Sequence, residues 1–147
     1  MSTKENKELM SQAFKEWGAF RGDVAKVGPW YEKYCAPGFI IHDLSRGDLN
    51  REQRIEAMVT LVSAFPDLNM PIDDMVAEGD KVVIRYTLQG THKGTYMRIP
   101  ATGKQIVVKG VIICKLVGVK CLEAWDFPDL LGVMTQLGVV PGAAPKK

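Results

Sequence analysis

Two carboxylates near the end of the chain are the clearest candidates for moving a proton. Asp126 and Asp129 lie three residues apart in the sequence WDFPD, between a predicted strand and a predicted helix. Large apolar neighbours could bury either carboxyl, and burial raises a carboxyl pKa toward the range of a useful general base or acid. Both residues also fit a structural role. Asp126 resembles a helix N-cap, and the helix dipole favours a negative charge at Asp129. Spacing alone leaves both interpretations open.

Composition and charge exclude several classes of protein. The 147 residues include 46% hydrophobic and 24% charged side chains, with a net charge of +2, which is typical of a globular domain with one core. Lys and Arg are scattered, without the basic face that nucleic-acid binding requires. Two histidines without a metal-binding motif predict no metal ion. Three cysteines in apolar segments, without CxxC spacing, indicate reduced structural thiols and a cytoplasmic protein.

The first half of the chain is predicted to contain three helical segments. A capping box at Ser2 and apolar residues at helical spacing predict a helix as far as Phe20. A second helical segment is expected over residues 23–34, interrupted at Gly28-Pro29. After a short strand at residues 39–44, a third helix follows at residues 50–65.

In the second half of the chain, the sequence pattern changes to that of β-strands. Residues 68–77 contain Pro71 and predict an edge strand or a bulged one. Three longer strands are predicted at residues 81–89, 106–117 and 119–127, and a short helix is predicted after Pro128. Helices followed by antiparallel strands indicate an α+β fold, with three helices packed on the concave face of a curved, mainly antiparallel sheet.

Several local sequences, in order over about 100 residues, resemble the SnoaL-like polyketide cyclases, also called ester cyclases. This family belongs to the nuclear transport factor-2-like superfamily of cone-shaped folds. The segments that carry the resemblance are YCAPGFIIHD at residues 34–43, AFPDL at 64–68, VAEGDKVVIRYTL at 76–88, GTHKG at 90–94, IPATG at 99–103 and CLEAWDFPDLLGVMTQLG at 121–138.

The resemblance implies an apolar cavity between the sheet and the helices, and a reaction without a cofactor. In the cyclases of this family, an Asp near the end of the last strand removes the proton next to an ester carbonyl, and an intramolecular aldol condensation then closes a ring. The matching residue is Asp129. Such a base must be ionised yet poorly solvated, and the enolate needs a hydrogen-bond donor.

The family segments also contain two candidate donors, His42 and His92. A half-buried core histidine at His42 and a loop histidine bonded to backbone at His92 are equally plausible structural alternatives. Arg85 is a candidate for substrate binding, although a structural ion pair explains it better. The predicted wall of the cavity contains four aromatic residues, for which a plain core role is also open: Trp17, Tyr34, Tyr86 and Trp125.

Departures from the family affect the expected substrate more than the fold. Ala124 stands where many relatives have His, and the segment Gly110-Val111-Ile112-Ile113-Cys114 lacks polar groups found in relatives. The sequence therefore predicts an Asp-dependent cyclase or isomerase acting on a small hydrophobic carbonyl compound. Two alternatives remain: a non-catalytic member that binds an apolar ligand or a protein, and an epoxide hydrolase that would need Arg85 and Asp129 inside the cavity.

The remaining expectations concern assembly and location. Strands with apolar residues on both faces need a cover on the outer face, which predicts a homodimer. No apolar run approaches the ~20 residues that cross a bilayer, so no membrane partner is expected. Residues 1–139 are predicted to form one domain, with a loosely ordered tail at residues 140–147.

Overall fold

The computed structural model describes residues 1–139, so the predicted tail lies outside the described residues. These residues form four α-helices, one 3₁₀ helix and six strands. In chain order they are α1 (Thr3–Trp17), a 3₁₀ helix (Val24–Lys26), α2 (Val27–Tyr34), β1 (Cys35–Asp43), β2 (Gly47–Asn50), α3 (Arg51–Ala64), β3 (Ile72–Glu78), β4 (Lys81–Thr91), β5 (Gln105–Val117), β6 (Lys120–Pro128) and α4 (Leu130–Leu137).

The starts of α1 and α3 follow the predicted capping chemistry. Ser2 and Glu5 bond each other's backbone N–H groups at the start of α1, and Asn50 and Gln53 do the same at α3. Each box satisfies two N–H groups that have no partner within the helix. Over residues 1–139, no helix is both long and apolar enough to cross a membrane.

The segment around Gly28-Pro29 differs from the prediction of an interrupted helix. α2 runs without a break from Val27, and Pro29 is its third residue. Proline is tolerated there because the N–H groups of a first helical turn have no intrahelical acceptor to lose. The interruption lies earlier, at the 3₁₀ helix, where the Asp23 side chain accepts a hydrogen bond from the N–H of Ala25 at 3.1 Å.

The strands form one curved sheet in the order β2-β1-β6-β5-β4-β3. All neighbouring pairs are antiparallel except β1 with β6. The predicted edge strand is confirmed as β3, which has a register shift near Ile72. Two predictions were wrong: β1 begins at Cys35 rather than Phe39, and residues 47–50, predicted to be loop and helix start, pair with β1 as the short strand β2.

The α+β fold class is confirmed, and the short helix predicted after Pro128 also packs on the sheet, beside the three helices expected there. α1 packs on β3 and β4, α3 packs on β1, and α4 packs on β5. The inward residues of the strands join the helices in one core that includes Ile41, Ile84 and Ile106, each 1% exposed or less. All three cysteines are buried and free, as the sequence indicated.

The outer face of the sheet has an apolar stripe across its central strands. Val83 pairs with Ile113, which in turn pairs with Trp125. In the next row, Val111 pairs with Phe127, whose exposed fraction is 44%. A contiguous apolar stripe of this kind on a sheet is typical of a surface that another protein covers.

We expect this stripe to form a homodimer, because two identical apolar surfaces can cover each other around a two-fold axis. Ile113→Glu would place a charge at the centre of the contact and should convert a dimer into a monomer at micromolar concentration. Val119→Glu, on the exposed β5–β6 turn, is the control and should leave the dimer intact. Light scattering measures both, and a monomeric wild-type protein would contradict the expectation.

Candidate functional site

A cavity lies between the inner face of the sheet and the N-terminal helices, with a volume of ≈ 110 Å³. Its wall is mostly apolar and aromatic, and its polar groups are concentrated in one cluster. The aromatic residues on the wall are Phe14, Trp17, Trp30, Tyr31, Tyr34, Phe39, Phe65, Tyr86 and Tyr96. An apolar cavity with a few convergent polar groups is the usual form of a small-molecule site.

The polar cluster is built around the buried guanidinium of Arg54. Its Nη1 donates to Asp43 Oδ2 at 2.8 Å, and its Nη2 donates to Asp126 Oδ2 at 3.0 Å. Asp43 and Asp126 are paired residues of the parallel strands β1 and β6, so both side chains point to the same face. α3 packs on β1 and carries Arg54 to them. All three side chains are less than one-tenth exposed.

Asp43 is held as a carboxylate. Burial raises its pKa, but hydrogen bonds from Ser45 and the charges of Arg54 and Arg46 outweigh burial and leave the pKa below the ordinary value. Its Oδ1 accepts from the Ser45 hydroxyl at 2.5 Å and from the Ser45 N–H at 2.8 Å. Its Oδ2 also accepts from Arg46 at 3.3 Å. Asp43 therefore holds the turn after β1 and also balances the charge of Arg54.

The pKa of Asp126 is shifted in the opposite direction. Burial raises its pKa above the ordinary value, against the lowering effects of Arg54 and of a hydrogen bond from Tyr86. The Tyr86 hydroxyl donates to Asp126 Oδ1 at 2.8 Å. Tyr86 can cross the sheet because it pairs with Gly110, where a Cβ atom would lie only 2.4 Å from the phenol. Two carboxyls whose pKa values move apart are a common sign of acid–base chemistry.

A second tyrosine, Tyr31 on α2, completes the cluster. Its hydroxyl oxygen accepts a hydrogen bond from Arg54 Nε at 3.3 Å. Burial raises the pKa of Tyr31 to about 12, in spite of the nearby charge of Arg54. The phenol is therefore neutral near pH 7 and keeps its proton as a donor.

The other cationic residue on the cavity wall is Arg46, which contacts the loop between β4 and β5. Its Nη2 donates to the hydroxyl of Tyr96 at 2.7 Å. Tyr96 and Ile99 exchange backbone hydrogen bonds around Met97 and Arg98, which both have positive φ angles of 50° and 65°. Two central residues in the left-handed region form a tight hairpin turn that is strained for non-glycine residues. This strained turn holds Tyr96 against the cavity.

The prediction that Asp129 lies inside the cavity was wrong. Asp129 is exposed and is the N-cap of α4, where its Oδ1 accepts from the N–H of Gly132 at 2.9 Å. β6 extends to Pro128, so the alternation of the strand turns Asp126 inward together with Ala124. Of the two carboxyls, Asp126 is the buried one and Asp129 is the helix cap.

His42 and Trp125 lie on the outer face of the sheet rather than in the cavity. Their rings stack at 5.5 Å, and His42 also bonds Asp48 at 2.8 Å and Glu123 at 2.7 Å. Hydrogen bonds to these two carboxylates raise the pKa of His42. His42 and Trp125 point outward because they follow Ile41 and Ala124, which point inward, along their strands.

His92 and Arg85 are also outside the cavity wall. His92 is fully buried behind Phe65, with ring centroids 5.3 Å apart, and its Nδ1 accepts from the N–H of Thr102 at 3.2 Å. Arg85 is exposed and lies 3.8 Å from Asp73 and 3.9 Å from Asp74. This position fits the structural ion pair that the sequence favoured.

Three of the predicted binding residues do line the cavity: Trp17, Tyr34 and Tyr86. Tyr34 donates its hydroxyl to Glu16, and the Trp17 ring packs edge-on against Trp30 and Tyr31. Their part in ligand binding stays a prediction. Sequence reasoning missed Arg54 and Tyr31 as polar members of the site. The available signal was a cation on the buried face of α3, four residues before Met58.

Fold and cavity together define a cone-shaped α+β protein with a buried cluster of one arginine, two carboxyls and two tyrosines. A sequence model of the SnoaL-like polyketide cyclases matches residues 20–137. The chain belongs to this family, as the sequence resemblance implied.

Two individual relatives agree with this assignment, and a third structure shares the fold. The aklanonic acid methyl ester cyclase DnrD of Streptomyces peucetius is 27% identical over 108 residues, which are 72% of each chain. A structure from Acidithiobacillus ferrooxidans, assigned as a polyketide cyclase, is 32% identical with a TM-score of 0.75 and covers 94% of this chain and 98% of its own. AclR of Streptomyces galilaeus, assigned as a hydroxylase, shares the fold at 24% identity with a TM-score of 0.84, over 95% of this chain and 100% of its own.

The capping role of Asp129 gives a direct prediction. Asp129→Ala removes the acceptor for the Gly132 N–H and should lower the free energy of unfolding by about 1 kcal/mol. Asp129→Asn keeps an acceptor and should lower it by only a few tenths of a kcal/mol. Urea denaturation measures both, and ligand binding or turnover should be unchanged. Loss of turnover with unchanged stability would contradict the capping role and favour a catalytic role for Asp129.

Proposed function

We propose that this protein catalyses an intramolecular aldol cyclisation, with Asp126 as the general base and acid. The observation that carries the proposal is a buried carboxyl on an apolar cavity wall, with a raised pKa and bonds only to Arg54 and Tyr86 among the described residues. A carboxylate can accept about four hydrogen bonds, so Asp126 keeps capacity to take a proton from a ligand.

The proton transfer has two stages. Asp126 takes a proton from the carbon next to a carbonyl, and the electron pair of the broken C–H bond forms an enolate. The enolate carbon then attacks a second carbonyl of the same molecule and forms the C–C bond. The resulting alkoxide takes the proton back from Asp126, so the base is regenerated and no cofactor is consumed. Such acid–base catalysis contributes about 10²- to 10⁴-fold to a rate.

The charges of the cluster suit this exchange. Arg54 and Arg46 face Asp43 and Asp126, so the four formal charges cancel when both carboxyls are ionised. When Asp126 becomes protonated, the substrate becomes an anion, and the total charge in the cavity does not change. Because the proton moves without changing the total charge of the cavity, the reaction avoids the large cost of leaving an unpaired charge in an apolar region.

The same charges favour a neutral, aromatic substrate. Both arginines on the cavity wall already bond Asp43, which leaves no unpaired cation there, among the described residues, to bind a substrate carboxylate. Aromatic side chains on the wall suit a flat ring system. An aromatic polyketide with an esterified carboxyl group fits both features, and the relative DnrD is named as the cyclase of a methyl ester.

Hydrolysis of an epoxide is a second candidate, because an Arg–Asp pair does lie in the cavity, although it is Arg54 with Asp126 and not Arg85 with Asp129. Hydrolysis needs a base to activate water and an acid to protonate the ring oxygen. The raised pKa of Asp126 suits the acid, which leaves Asp43 as the base. Asp43 already accepts five hydrogen bonds, so cyclisation is the better supported reaction.

The first test is Asp126→Asn, which keeps the shape and removes the base. Turnover of an aromatic polyketide methyl ester should fall by about 10²- to 10⁴-fold. In the wild type, kcat/KM should rise with pH through a pKa above the ordinary Asp value, because only the ionised carboxyl accepts the proton, and the variant should lose this rise. Asp129→Asn makes the same chemical change outside the cavity and is the control. Turnover retained by Asp126→Asn would end the proposal.

The mass of the product separates the two reactions. An aldol cyclisation rearranges the substrate, so the product formed in ¹⁸O-labelled water should have the substrate's mass before any later dehydration. Epoxide hydrolysis would add one labelled water, which mass spectrometry of an early time point detects. Incorporation of the label into a diol product would favour the second candidate.

A further inference from the structure

The polar cluster contains a hydroxyl hydrogen for which the described residues supply no acceptor. The oxygen of Tyr31 accepts from Arg54 Nε, and within residues 1–139 its O–H has no hydrogen-bond acceptor. Tyr31 is only 5% exposed and lies on the cavity wall. A buried donor without a partner has a cost in free energy, and such groups in native structures call for an explanation.

Arg54 places this hydroxyl beside the base. Nε and Nη2 are on one edge of the planar guanidinium, with their N–H bonds side by side. On that edge Nε bonds the Tyr31 oxygen at 3.3 Å, and Nη2 bonds Asp126 Oδ2 at 3.0 Å. The phenol and the carboxylate are therefore neighbours on the same side of Arg54, and Arg54 fixes the distance between them.

We propose that Tyr31 is a catalytic hydrogen-bond donor that binds the substrate's carbonyl oxygen and stabilises it as it becomes an enolate. The oxygen of a carbonyl and the hydrogen on its neighbouring carbon lie close together, which matches a donor and a base held side by side. The hydrogen bond from Arg54 makes the Tyr31 O–H a stronger donor. No proton leaves Tyr31: the C–H bond of the substrate breaks toward Asp126, and the enolate oxygen accepts a hydrogen bond from the phenol.

The other tyrosines on the polar part of the wall are less suited to this role. Tyr86 already donates to Asp126, and Tyr34 donates to Glu16. The hydroxyl of Tyr96 bonds Arg46, which contacts Asp43 rather than Asp126. Tyr31 alone among these four shares a guanidinium edge with Asp126. Donors aimed at a developing oxyanion are usually the largest single contribution to such catalysis.

This inference rests on the proposed function for the identity of the substrate oxygen, and a binding measurement tests it without turnover. 2-Naphthol is a flat aromatic enol whose oxygen can accept a hydrogen bond from Tyr31, and naphthalene is the same ring system without oxygen. At pH 7 the wild type should bind 2-naphthol more tightly than naphthalene. Tyr31→Phe should lower the affinity for 2-naphthol by about 10-fold and leave that for naphthalene within about 2-fold.

Two comparisons separate a donor from a structural residue. Equal losses for both ligands, or none for either, would overturn the proposal, and so would a wild type that does not prefer 2-naphthol. If Tyr31→Phe does not fold, 3-fluorotyrosine at position 31, with a more acidic phenol, should raise the affinity for 2-naphthol alone. An unchanged preference would also contradict the proposal. Asp126→Asn tests the proposed function separately. Turnover retained by that variant would contradict Asp126 as the base, but it would not change the binding result for 2-naphthol.

Discussion

The structure of the site depends on one buried guanidinium. Arg54 is 8% exposed at its side chain and bonds Asp43, Asp126 and Tyr31 at once. A buried cation needs such partners, since removing one partner of a buried pair commonly costs about 3–5 kcal/mol. The same bonds that stabilise Arg54 in the core also fix the positions of two carboxyls and a phenol. Stability of the core and geometry of the site are therefore properties of one interaction.

The sheet topology explains why two carboxylates can share that guanidinium. β1 and β6 are the one parallel pair in the described sheet, and their register aligns Asp43 with Asp126. Residues aligned in this way point to the same face, so a single cation from α3 reaches both. Their different environments then separate their chemistry. Asp43 is surrounded by donors from the turn at Ser45 and Arg46, which lower its pKa, whereas Asp126 has only two donors in the described part of the chain and burial raises its pKa.

Much of the fold follows from local sequence signals. The capping boxes at Ser2 and Asn50 begin two helices, and the alternation of β4 and β5 gives two strands close to their predicted bounds. The failures have local reasons as well. A proline within a helical pattern predicts a break, but Pro29 lies in the first turn of α2, where it removes no intrahelical hydrogen bond. β2 is stabilised by pairing with β1, a tertiary contact that four residues cannot signal on their own.

The site was less accessible to sequence reasoning because strand register decides which carboxylate is buried. One residue of register moves every side chain of a strand to the other face. β6 continues to Pro128, and this sends Ala124 and Asp126 into the cavity, Trp125 and Phe127 to the outer face, and Asp129 to the helix cap. A boundary three residues earlier would have left Asp126 as a cap. Similarly, Arg54 occupies an apolar position of α3, and only its pairing with carboxylates from two strands makes a cation stable there.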